Sequence, residues 1–189
     1  MKLSLLLVSS GIFAFVGSVR THLDSRRQAE PLQPWKVTRL SSFSPSGRPG
    51  ASPLAHIWAT IENPNSILAA PGVSFDATLA NCTVEWTFYG GDEPYGHVSD
   101  STSDSTSKWT IEVLEANSTS PSPTENMDIR FTLTMNVTVN GSEYHEVLAG
   151  TQHFEVGGNM EGTCGGSGVC SWNLKEESNP VLIQPTIVA

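Results

Sequence analysis

Between residues 130 and 140, Phe131, Leu133, Met135, Val137 and Val139 alternate with Arg130, Thr132, Thr134, Asn136, Thr138 and Asn140. A period of two puts the first set on one face of a strand and the second on the other, which predicts a half-buried strand with a wet side. The same beat runs through Cys82, Val84, Trp86 and Phe88, opposed by Thr83, Glu85 and Thr87, and again through Trp109, Ile111 and Val113. Residues 35–43, 54–62, 73–79, 144–148, 151–156 and 170–174 are further strand candidates. No segment carries a sustained apolar stripe at helical spacing. The predicted fold is all-β, a single-domain antiparallel β-sandwich or barrel.

Turn chemistry punctuates these segments. Asn140-Gly141 and Ala149-Gly150 read as compact hairpin turns, and residues 45–53, Asn63-Pro64-Asn65 and Gly90-Gly91 as longer ones. Residues 99–107 contain only Ser, Thr and Asp, and residues 116–126 are rich in Ser, Thr and Pro. Neither stretch offers apolar area to bury, so both are expected to be mobile, solvated spacers.

The chain has 189 residues with 10 basic and 19 acidic groups, a net charge of −9. A surplus of that sign repels phosphate backbones and anionic lipid surfaces, so nucleic acid is not an expected partner. The longest apolar run, residues 3–19, follows Lys2 and has the order of a secretory signal, with cleavage expected after Ser18. Arg26-Arg27 lies in a polar stretch open to a processing protease or serving as an uncut tether. The expected organisation is a signal peptide over 1–18, a propeptide over 19–27 and one secreted β domain over 28–189. Removing residues 1–27 would take the net charge to −12. Residues 181–189 are mostly apolar, but Gln184 and Pro185 interrupt them, so no lipid-anchor tail and no membrane attachment after signal cleavage are expected.

In a secretory pathway, the Asn-x-Ser/Thr pattern marks Asn81, Asn117, Asn136 and Asn140 as glycan acceptors. Asn136 and Asn140 fall on the polar face of their strand, Asn81 precedes an inward Cys82, and Asn117 opens a polar loop. Three cysteines leave one over. Cys164 and Cys170 bracket a glycine-rich linker and are expected to form a disulfide. Cys82 faces inward with Val84 and Trp86, either as a buried free thiol or as half of an intermolecular bridge.

Several segments carry a family resemblance: Trp35-Lys36-Val37-Thr38, Phe43-Ser44-Pro45-Ser46-Gly47-Arg48-Pro49, Ile61-Glu62-Asn63-Pro64-Asn65, Asn81-Cys82-Thr83-Val84-Glu85-Trp86 and Cys164-Gly165-Gly166-Ser167-Gly168-Val169-Cys170-Ser171-Trp172. Their order resembles fungal small secreted cysteine-containing proteins, distantly similar to the Alternaria major-allergen-like β-barrel family. The resemblance implies a secreted β-sandwich or barrel at a fungal surface or in host tissue, sometimes an elicitor or effector, and no enzyme. Members typically carry four cysteines, the first paired shortly after the Trp-containing strand. This chain has Tyr95-Gly96-His97 in that neighbourhood, which leaves Cys82 without that partner.

Catalytic patterns are incomplete. His145-Glu146-Val147-Leu148-Ala149 starts like a zinc-protease helix but ends in Ala and reads as strand. His145 and His153 flank Ala149-Gly150, and only a three-residue loop would set them side by side as metal ligands, so no metal is expected. Gly165-Gly166-Ser167-Gly168-Val169 misses the nucleophile elbow at its last position. Glu85, Glu112 and Glu155 face outward by alternation, and nothing marks one as a glycosidase acid. No cofactor and no catalytic residue are assigned. Trp35, Trp86 and Trp109 read as core, whereas Trp58 shares its face with His56 and Thr60. That face is either a ligand-binding platform centred on Trp58 and His56 or is covered by a loop or glycan. The leading expectation is a non-catalytic secreted glycoprotein binding a host protein or cell-wall glycan. A carbohydrate-binding or structural wall module and a hydrolase with a dispersed carboxylate site are the alternatives.

Overall fold

In a computed structural model describing residues 31–90, 92–102, 105–116 and 122–188, the alternating segments become strands of two facing sheets. In chain order the first half supplies β1 (Trp35–Ser44), β2 (Leu54–Asn63), β3 (Ile67–Ala70), β4 (Val73–Phe75), β5 (Thr78–Thr87), β6 (Val98–Thr102) and β7 (Ser107–Leu114). The second half supplies β8 (Asn126–Val139), β9 (Ser142–Glu155), β10 (Met160–Cys164), β11 (Cys170–Leu174), β12 (Val181–Ile183) and β13 (Thr186–Ile187). The first sheet has the order β10-β11-β1-β2-β5, with β12 also on β1, and the second the order β13-β9-β8-β7-β6. All of these ladders are antiparallel, and β3 and β4 form a separate hairpin. The fold is an all-β sandwich.

The inner faces meet in one apolar core. Trp35, Ile57, Ile61 and Cys82 come from the first sheet, and Trp109, Ile111, Phe131 and Leu133 from the second, each 0% exposed. Trp35 meets Trp109 edge to face across the gap, ring centroids 4.7 Å apart, the arrangement that aromatic quadrupoles favour. Each indole N–H is satisfied within its surroundings: Trp35 Nε1 donates to Asn63 Oδ1 at 3.1 Å and Trp109 Nε1 to Thr78 Oγ1 at 3.1 Å. Trp86 is also core, at 3% exposed.

Asn140-Gly141 does form the tight turn between β8 and β9, with φ of 50° and 79° and Val139 paired to Ser142. Both residues occupy the left-handed region that a two-residue hairpin of this kind requires. Ala149-Gly150 does not turn. β9 runs through it unbroken, Gly150 opposite Phe131. A Cβ on Gly150 would stand 2.6 Å from Ile183 Cγ2, so this glycine marks a close approach inside a strand. Residues 73–79 divide into β4 and the start of β5, because Phe75 is buried with the β3–β4 hairpin while Thr78 turns in to serve Trp109.

The described parts of the two polar stretches are built into the sandwich. Val98–Thr102 pairs with β7, and Ser107 is buried as the first residue of that strand. Ladder bonds are made by backbone, so Ser and Thr enter a sheet without an apolar face to bury. Downstream, Thr124 and Asn126 are buried, and Ser42 Oγ donates to the Thr124 carbonyl across the sandwich. Residues 181–189, read only as a non-anchor tail, contribute β12 to one sheet and β13 to the other. The expected leader over 1–18, the 19–27 segment with Arg26-Arg27, and Asn117 lie outside the described residues. Among the described residues no helix is long and apolar enough to cross a membrane.

Cys164 and Cys170 are directly paired across β10 and β11 and are joined by a disulfide. The ring it closes is short, with a sequence separation of 6, so reduction is expected to cost only about 2 kcal/mol in the loop-entropy picture. Urea unfolding with and without dithiothreitol measures this directly, and a loss above about 4 kcal/mol would contradict a local role. Cys82 is free and buried, so the comparison concerns one bridge.

Candidate functional site

The outward face of the first sheet gathers the candidate ligand-binding residues. Alternation along β2 turns Ala55, Ile57, Ala59 and Ile61 into the core and leaves His56, Trp58 and Glu62 half-buried on the outside. Register then defines rows across the sheet. One row runs Ser171, Phe43, His56, Glu85, and the next runs Asn173, Ser41, Trp58, Thr83. Beyond them lie Arg39, Thr60, Asn81 and then Lys36, Glu62, Leu79.

Phe43 and His56 stack with centroids 5.2 Å apart and planes 18° from parallel. Phe43 reaches this face because of a bulge. Val37 pairs with Ile61 and Arg39 with Thr60, so Thr38 is an extra residue and the inward parity of β1 switches from Trp35 and Val37 to Leu40, Ser42 and Ser44. Trp58 and the Phe43–His56 stack thus form an aromatic patch flanked by the hydroxyls of Ser41, Thr83 and Ser171 and the carboxamide of Asn173. Charges border it: Glu85 is directly opposite His56, Arg39 and Glu85 are diagonal neighbours of Trp58, and the Lys36–Glu62 pair at 3.9 Å lies further out. An aromatic, hydroxyl-rich centre bordered by one carboxylate and one guanidinium, of opposite charge, suits a neutral ligand with apolar faces and many hydroxyls, such as a sugar.

The sequons separate clearly. Asn81 is exposed on this same face, its Oδ1 accepting from Thr60 Oγ1 at 2.8 Å while Ser101 Oγ donates to its carbonyl. Asn136 is exposed on the second sheet, its Oδ1 against His145 Nδ1, beside a shallow depression of about 340 Å3 lined by residues including Tyr144 and Glu143. Asn140 is exposed in the tight turn. Behind Asn81, burial pushes the Cys82 thiol up to about 11, opposed by a hydrogen bond with Ser101. A protonated thiol with 0% exposure is inert toward partners outside the core.

The second sheet holds a cluster that pattern reading missed. His153 Nδ1 stands 2.8 Å from Asp128 Oδ1, and its Nε2 stands 3.8 Å from Glu155 Oε2. Asp128 and His153 are direct cross-strand partners, a pairing visible only once the β8–β9 register is known. His145 and His153 share one continuous strand eight residues apart, roughly 26 Å at strand rise. They do not share a ligand. Glu85 belongs to the first sheet, while Glu112 is bound to Arg130 at 3.1 Å on the second. Glu112 lies level with Thr151, four residues along β9 from Glu155, or about 13 Å. These carboxylates are not brought to glycosidase spacing. Among the described residues, Glu125, Cys164 and Cys170 converge as a possible ligand trio, but the two sulfurs are bonded to each other.

No protein-family model, no curated protein and no solved structure matches this chain.

Proposed function

We propose that the chain is an extracellular β-sandwich glycoprotein that acts by binding, and that the outer face of its first sheet takes a neutral glycan of a cell wall or host surface. The observation that carries this reading is the half-buried Trp58 beside the Phe43–His56 stack, among hydroxyls and between the opposite charges of Glu85 and Arg39. Stacking supplies contact area at small entropic cost, and flanking hydroxyls and a carboxamide supply direction. The Cys164–Cys170 disulfide and the leader-like run near the start support an oxidising, extracellular setting. The fungal and effector-like context comes from the sequence resemblance.

Oxidised chain produced without glycans, applied to a glycan array, is expected to bind neutral glycans saturably. Trp58→Ala should weaken binding by about tenfold or more, the loss of an anchor worth at least about 1.4 kcal/mol. Binding that survives Trp58→Ala unchanged, or no binding at all, would remove the sugar reading. A protein partner is the second reading, favoured by Leu182, Ile187 and Val188, exposed at 55%, 62% and 57% along the short terminal strands and the residue after them.

A further inference from the structure

Asn81 and Trp58 meet on one face for a reason of register. Thr60 is directly opposite Asn81, and Trp58 is directly opposite Thr83, two residues along β5. Asn81 and Trp58 are therefore diagonal cross-strand neighbours, roughly 7–8 Å apart at the backbone, within reach of long side chains and of anything attached to them. Thr60, itself only 9% exposed, donates to Asn81 Oδ1 at 2.8 Å. That bond holds the carboxamide by its oxygen, on an exposed residue whose backbone carbonyl is also tied down by Ser101.

We infer that Asn81 carries an N-linked glycan whose first N-acetylglucosamine lies on the Trp58 ring, so that the chain's own modification competes with outside glycans for this face. In the attachment step, Asn81 Nδ2 bonds to the anomeric carbon of a lipid-diphosphate-linked oligosaccharide. The anomeric C–O bond breaks, the lipid diphosphate leaves, and one amide proton passes to a base of the transferase. The sequon is read on the unfolded chain, so the buried Cys82 between Asn81 and Thr83 is no obstacle. Folding then carries the sugar to the aromatic patch. The C–H-rich face of a sugar carried by the diagonal neighbour can lie on this half-open ring and remove its apolar area from water. The inference shares its face with the binding reading and assigns that face an internal occupant.

The test uses full chain from a secreting host, glycosylated, beside Asn81→Gln and Thr83→Ala, which remove the sequon through different residues. Thr83→Ser keeps it. Mass spectrometry should find the glycan on Asn81. Oxidation of Trp58 by N-bromosuccinimide should run about fivefold faster in the two sequon-less chains than in wild type and Thr83→Ser, with buried Trp35 and Trp109 as internal references. Asn136→Gln should leave the rate unchanged. An unoccupied Asn81, or equal Trp58 oxidation with and without its glycan, would overturn the inference. Glycan-array binding separates the two readings. Binding that is present in the glycosylated chain and strengthens when the Asn81 glycan is removed supports both. Shielded Trp58 with no array binding by any form keeps the internal glycan and removes the outside ligand. Equal binding with and without the Asn81 glycan removes the internal occupant and keeps the binding face.

Discussion

Replacing Asn63 with leucine is expected to lower the free energy of unfolding by roughly 2–5 kcal/mol, although leucine is apolar and similar in size. Asn63 is 0% exposed, and its Oδ1 accepts from Trp35 Nε1 at 3.1 Å, from the Asn65 backbone N–H at 3.1 Å and from Asn65 Nδ2 at 2.7 Å. Asn65 in turn grips Gln33, accepting from its N–H at 2.7 Å and donating to its carbonyl at 2.9 Å. A leucine side chain accepts nothing, so the Asn63→Leu change would strand the indole N–H and the Asn65 N–H. Each buried orphan costs about 1–3 kcal/mol. The Asn65 amide keeps Gln33, so two donors are stranded, and the Asn65 carbonyl also loses the bond donated by Asn63 Nδ2 at 3.4 Å.

A double-mutant cycle isolates this mechanism from simple core disruption. Trp35→Phe removes one of the two donors that the Asn63→Leu change strands. On that background Asn63→Leu should cost about 1–2 kcal/mol less than it does alone. Urea denaturation midpoints with unchanged slopes supply the four free energies. Additivity within about 0.5 kcal/mol would show that the network is not what Asn63 contributes.

This hub also shows where sequence reading ends. Asn63-Pro64-Asn65 is legible as a turn, because Asn bonds its own backbone two residues on and Pro fixes the corner, and Asn65 N–H does donate to Asn63 Oδ1. That the turn also holds Trp35 and Gln33, some thirty residues upstream, depends on β1–β2 pairing and has no local signal. The binding face divides in the same way. Trp58 and His56 are placed outward by parity along β2, which contains no irregularity. Phe43 is misplaced by parity counted from Trp35, because the bulge at Thr38 inverts every residue after it. Polar segments fail for a different reason. Residues 98–102 carry no apolar rhythm, and their place in the sheet follows from the edge offered by β7.

Gly150 is the position where local signal and tertiary packing disagree most, and it sets up the second large effect. Gly150→Val is expected to cost about 3 kcal/mol or more, even though Val is a favoured strand residue and the backbone there is ordinary β9. Any Cβ meets Ile183 Cγ2 at 2.6 Å and then the Gln184 carbonyl and Trp35 Cζ3, each at 3.5 Å. Relief in one direction is blocked by backbone and in the other by an indole already held between Trp109 and Asn63. Ile183 is the one neighbour with room to be made smaller. It is 1% exposed on β12, where it pairs with Trp35. Ile183→Ala alone should cost roughly 2–4 kcal/mol as a cavity. Combined with Gly150→Ala, it should cost at least about 1 kcal/mol less than the sum of the two single changes, because the new methyl enters the space the isoleucine vacates. Thermal or urea unfolding of the four proteins measures that difference. Gly150→Val tolerated within about 1 kcal/mol, or a strictly additive double variant, would mean that β12 does not seat against β9 as described. A coupled pair would establish that the glycine is kept small by the strand lying over it.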